Sequence, residues 1–178
     1  MPTTLDKKIR KKIQREKHLG KNIHVPTSVD SNMKWVPLLA MWLLDITGMK
    51  TRNKWTKQIL LVSASQAVRT LITKPVKKAT EQVRPDSFRH NSFPSGHTST
   101  AFAGAEILRM ELKDNYPALS YTGYAAAATT AFLRLYNNKH WLSDVVAGAV
   151  IGVVSTRIVY FMLGRRKKSS PSNVDEKS

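Results

Sequence analysis

Cysteine is absent from the 178-residue chain. That excludes a disulfide framework and thiolate metal sites, and leaves the redox compartment open. Acidic residues are scarce, with 12 Asp and Glu against 29 Lys and Arg, a formal net charge of +17. So basic a balance implies an anionic partner: nucleic acid, anionic lipid headgroups or a phosphorylated compound. Glycine and proline number 8 each, too few for collagen-like or low-complexity sequence. The first 30 residues lack an apolar run long enough for a secretory signal peptide. Neither an alternating strand pattern nor an internal repeat is visible, so the fold class expected is all-α.

What is present is basic charge in clusters beside apolar segments. Lys7 to Lys12 with Arg15, Lys17 and Lys21 form the first cluster, Lys50, Arg52, Lys54 and Lys57 the second, and Arg165 to Lys168 the third. This is the arrangement of juxtamembrane charge rather than of a continuous nucleic-acid face, and no nucleic-acid partner is expected. The run Trp35 to Leu44 is short of the roughly 20 residues a spanning helix needs, and its two tryptophans suit an interfacial or re-entrant helix. Ile59 to Val76 is amphipathic, broken by Gln66 and Arg69. A helix is expected from Thr98 to about Glu111, another from Pro117 to Tyr136, and a last from Trp141 to Leu163. The last best meets the length of a transmembrane span, and Gly148 and Gly152 give it a small-residue face for close packing. The expected architecture is a helical bundle, integral to a membrane, with about four spanning helices plus an interfacial N-terminal helix. The expected organisation is a basic segment 1–33, a helical domain 34–164 and a polar tail 165–178.

Three short motifs carry the chemistry. Lys77, Arg84 and Pro85 give Lys-x6-Arg-Pro; Pro94-Ser95-Gly96-His97 is a polar turn before a helix; Arg134 and His140 give Arg-x5-His, with Asp144 four residues on. Hydrolysis of a phosphate ester without metal needs cations, a nucleophile, a proton donor and a group that orients the nucleophile. Lys77, Arg84 and Arg134 supply the cations, the arginines able to grip two oxygens at once. Ser95 and Gly96 open a helix whose N–H groups and dipole attract an anion. His140 and Asp144 share a helical face, so the carboxylate can fix the ring tautomer and leave the other nitrogen to attack phosphorus. His97 is then the general acid and, later, the base for water.

With these motifs in this order, the chain resembles the type 2 phosphatidic acid phosphatase superfamily, which also holds class A acid phosphatases and vanadium haloperoxidases. The resemblance covers roughly Lys77 to Gly152 and departs at Leu133, where the family usually has serine. It implies a metal-independent phosphatase with no cofactor and the same roles for these residues. Apolar helices beside the site favour a lipid phosphate, monoester or diphosphate. The alternatives are a soluble acid phosphatase, a vanadate-binding haloperoxidase, or a basic binding protein without catalysis. His18, His24 and His90 lack partners at meaningful spacing, and Glu106 is expected to pair with Arg109 or Arg69.

Charge and helix parity together set an expected orientation. Were the Trp35 run not to cross, the basic N-terminus, Lys50 to Lys57 and the tail would all lie opposite the site. The positive-inside tendency then puts the site on the periplasmic (or lumenal) side, most naturally of a bacterial inner membrane.

Overall fold

The computed structural model describes residues 1–19 and 26–164, and seven α-helices account for most of them. They are α1 (Thr4–Leu19), α2 (Thr27–Met33), α3 (Val36–Ile46), α4 (Trp55–Thr80), α5 (Gly96–Leu112), α6 (Thr122–Tyr136) and α7 (Leu142–Leu163), with a short 3-10 turn at Leu119–Tyr121 before α6. No strand occurs among the described residues. Lys21, His24 and the tail 165–178 lie outside them.

α5 is the central helix, buried along most of its length, with α7, α6, α4 and α3 around it. Its partnership with α7 is the most extensive, and glycine is the reason. A Cβ at Gly148 would meet the Ser95 carbonyl oxygen at 2.6 Å, and one at Gly152 would meet the Ser99 carbonyl at 2.4 Å. Any side chain there would force the two backbones apart, so the small-residue face of α7 sets the closest approach in the bundle. Leu38, Met41, Leu61, Ile107, Leu108 and Leu112 form the main apolar cluster at the lower half of α5.

α7 is the one described helix long and apolar enough to cross a membrane. Val146, Val150, Val154 and Ile158 recur every fourth residue along it and are all exposed. That leaves an apolar stripe on the outside of the bundle. α3 is too short to span, yet Leu38 and Met41 pack it firmly into the core.

The helices arrange two ends. The end that carries the three motifs, the candidate catalytic end, gathers the turn before α5, the connection after α4 and the turn between α6 and α7. α4 stops there because Glu81 takes a left-handed conformation, φ +42°, and Asn138 at φ +56° turns the chain out of α6 toward His140. At the far end Glu111 of α5 accepts from the Asn53 backbone N–H at 2.9 Å, the Asn53 side-chain amide at 2.7 Å and the Tyr160 hydroxyl at 2.6 Å. Those bonds fasten the α3–α4 connection, which reverses through Gly48 at φ +81°.

One expectation changes, and another gains a partner. The basic N-terminus does not lie opposite the site: α1 docks at the catalytic end, against α6 and α7. The reason is that α2 and α3 together carry the chain down the bundle, so α1 and Lys50 fall at opposite ends. Within the expected segment 1–33, α1 and α2 are helical. Glu106 does pair with Arg109, at 2.6 Å, but its second partner is Arg157 of α7 at 2.9 Å, with the Tyr124 hydroxyl also bonded to it. Arg69 turns instead to Gln66 and Ser99.

Candidate active site

Asp144 is the hub of the catalytic end. It sits in the first turn of α7 with no exposed surface. Its Oδ1 accepts from Gln82 Nε2 at 3.0 Å. Its Oδ2 accepts from Ser92 Oγ at 2.5 Å, the Trp141 backbone N–H at 2.9 Å and His140 Nδ1 at 3.2 Å. Four donors on one buried carboxylate hold it in a single orientation. With Nδ1–H committed to Asp144, Nε2 of His140 carries the lone pair. His140 is itself buried. Burial, with Arg134 and Arg84 close by, holds the imidazole below its usual pKa despite Asp144, so the ring is neutral at neutral pH.

The cations take two different jobs. Lys77, in the last turn of α4, donates to the carbonyls of Asn91 at 2.5 Å, Pro94 at 2.9 Å and Ser92 at 3.4 Å. Its ammonium thereby braces the loop 91–94 against α4. Arg84 uses Nε on Asn91 Oδ1 at 2.7 Å, which leaves its two terminal nitrogens as the pair a phosphate would meet. Burial, and then Arg134, lower its pKa, a sign that the two guanidiniums converge on one region. Arg134 is buried in the last turn of α6.

Ser95 caps α5: its Oγ accepts from the Thr98 hydroxyl at 2.9 Å, and its own N–H donates to the Asp144 carbonyl at 2.9 Å. The Ser95 hydroxyl is therefore buried and engaged in capping. Gly96 and His97 follow at the helix mouth, both half-buried. A Cβ on Gly96 would meet nothing within 4 Å, so open space adjoins the backbone there.

The motifs thus converge, and several further residues join them that the sequence did not mark. Gln82 and Ser92 bond Asp144 directly, yet belong to no periodic or motif pattern. Asp6 of α1 accepts the Ser143 backbone N–H at 2.8 Å and the Ser143 hydroxyl at 2.9 Å, capping α7 one residue before Asp144. Burial works against the Asp6 carboxylate, but the donors of Ser143 and Thr3 outweigh it and hold its pKa below the usual value. Arg10 donates to Asn138 Oδ1 at 2.8 Å and to the Pro85 carbonyl at 3.1 Å, and lies over the Trp141 ring. It joins the Arg84–Pro85 segment to the turn that carries His140. The Thr-x-x-Asp pattern at Thr3 and Asp6 was a legible capping signal, but nothing in the sequence said which helix Asp6 would cap.

Comparison with known proteins identifies the family. The profile of the PAP2 superfamily matches residues 55–168. A lipid A 1-phosphatase of Porphyromonas gingivalis is 35% identical over 137 residues, 76% of this chain but 31% of that protein. The chain therefore spans about a third of the length of this curated relative. Two crystal structures share the fold, each with a TM-score of 0.65. One is LpxE of Aquifex aeolicus, 18% identical over 89% of this chain and 96% of that one. The other is the first transmembrane PAP2 type phosphatidylglycerolphosphate phosphatase from Bacillus subtilis, 22% identical over 93% of this chain and 90% of that one.

Proposed function

The chain belongs to the PAP2 superfamily, and from that premise we propose that it removes phosphate from a membrane lipid through a phosphohistidine formed on His140. The observation that carries the reading is the coupling of His140 Nδ1 to the fully buried, four-donor Asp144. It fixes the tautomer whose Nε2 is nucleophilic.

In the first step Nε2 bonds phosphorus as the ester P–O bond breaks, and His97 gives its proton to the departing alkoxide. In the second step His97 takes a proton from water, whose oxygen attacks phosphorus while the P–N bond breaks and inorganic phosphate leaves. Arg84 and Arg134 balance the charge on the equatorial oxygens, and the N–H groups at Gly96 and His97 add the start of the α5 dipole. Lys77 serves by holding the loop that carries Ser92, and so Asp144.

The substrate class rests on the setting and on relatives that act on lipid phosphates. The exposed valine stripe of α7 suits a bundle set in lipid, which holds such a substrate at the height of the site. For orientation, the basic α3–α4 connection at the far end supports a site facing the periplasm or lumen, while α1 on the site's own side weighs against it. Because the chain has no cysteine, single cysteines at Lys8 and Lys54, labelled by an impermeant maleimide in intact cells, decide the side.

The functional test is phosphate release from a panel of lipid phosphates in detergent with EDTA present, for the parent and His140→Ala. Release that survives EDTA and vanishes in the variant is expected, with an acidic limb falling below pH 6.5 because the imidazole must be unprotonated to attack. Equal release by both forms would overturn the reading.

A further inference from the structure

The end of the bundle remote from His140 carries a second amphipathic cavity that the chemistry above does not use. An apolar groove of about 520 Å³ runs along the seam between α3 and α4, walled by Trp42, Ile46, Trp55 and Ile59. All four are exposed, Ile46 to 81% and Trp55 to 64%, so the apolar surface opens outward rather than into the core. Directly beyond it lies a polar cavity of about 570 Å³ formed by the α3–α4 connection, with Lys50, Arg52 and Lys54 in its lining. The two cavities share Asp45 and Trp55, so they are one continuous depression with an apolar half and a cationic half. Asp45 is the acid at the junction, and its Oδ1 already accepts from the Thr51 hydroxyl at 2.8 Å. Three cations against one engaged carboxylate leave the polar half positive.

We propose that this depression binds an anionic phospholipid of the leaflet opposite the catalytic end, phosphate among Lys50, Arg52 and Lys54 and acyl chain along Trp42, Ile46 and Ile59. Three features select that occupant. The apolar half is on the outer face of helices set in lipid, so its neighbour is an acyl chain. The cationic half is at the end of those helices, at headgroup height. Trp42 and Trp55 mark the level between them, where amphipathic rings settle. The rigidity of the cationic rim comes from beneath: the Glu111 carboxylate holds both backbone and side chain of Asn53, and the Glu111 carbonyl accepts from the Arg52 backbone N–H at 2.9 Å. The site is separate from the proposed phosphatase centre and does not depend on it.

The test is quenching of tryptophan emission by phospholipid with brominated acyl chains, titrated into the full chain in neutral detergent. Brominated phosphatidylglycerol is expected to quench at about tenfold lower concentration than brominated phosphatidylcholine. Trp42→Phe with Trp55→Phe should remove the high-affinity component. Arg52→Gln with Lys54→Gln should bring the two lipids together, while Arg134→Ala at the catalytic end leaves the gap intact. Circular dichroism and phosphate release of the Arg52→Gln, Lys54→Gln variant, both expected at parent levels, show that the bundle is unchanged. Equal quenching by both lipids in the parent, or a gap that only Arg134→Ala closes, would overturn the proposal. Relief of quenching by millimolar inorganic phosphate would also overturn it, by assigning the cations to free anion rather than lipid.

Discussion

Asp144 and Glu111 occupy opposite ends of the same bundle, both without exposed surface and both collecting donors from more than one segment. By burial and hydrogen bonding they are near equivalents. Their partners differ in kind. Asn53 and Tyr160 give Glu111 only amide and hydroxyl donors, and that network holds the α3–α4 connection in place. At Asp144 one donor is an imidazole whose second nitrogen is basic, and two guanidiniums stand close to that ring. A buried carboxylate becomes part of chemistry through what its neighbour can still do with a lone pair, and not through its own environment.

The largest expected effect separates the two directly. Asp144→Asn should lower kcat by about a thousandfold, because an amide can present N–H to His140 and favour the wrong tautomer. Glu111→Gln should leave phosphate release per folded molecule within about twofold. Its cost falls on stability, about 1–3 kcal/mol, read as a lower unfolding midpoint in detergent. If Asp144→Asn lost only stability, the two carboxylates would be alike and the proposed nucleophile would lose its orienting group.

Asp6→Asn refines the comparison with a smaller effect. The amide keeps size but weakens the cap on Ser143, so kcat should fall about tenfold or less with KM little changed. Its unfolding midpoint should drop less than that of Glu111→Gln. The sign with pH follows from the lowered Asp6 pKa. The attachment of α1 is complete above the ordinary carboxylate value of 3.8 and weakens as pH falls through the lower folded value. Fluorescence from a dye on α1 should report that release before the bundle unfolds.

Much of the site was legible in the sequence because its parts keep fixed spacing within short segments: Lys77 to Arg84, Ser95 to His97, Arg134 to Asp144. Helices α5 and α7 were legible to within two residues, since apolar content and flanking polar residues bound them; α6 ends at Tyr136 as expected but begins at Thr122, five residues after Pro117, with a 3-10 turn between. The bracing role of Lys77 was not legible, because a motif gives residue types near an anion without saying which atoms the backbone has already claimed. Gln82, Ser92 and Asp6 were hidden for a related reason. Each acts across 52 or more positions of sequence, a distance that only the packing of helices closes. The end on which α1 lies was misjudged because parity was counted without the broken passage made by α2 and α3.

The close contact at Gly148 and Gly152 also bears on motion. Ser95 and Ser99, whose carbonyls occupy the space a side chain would need, belong to the first turn of α5 and its cap, and Asp144 belongs to the first turn of α7. Those two turns are clamped backbone to backbone, so they move as one rigid unit and offer no hinge between the helix mouth and the hub of the site. An opening for the proposed lipid must therefore come from another wall, and the one held by fewest bonds is α1, which rests on Ser143, Asn138 and Pro85 through Asp6 and Arg10.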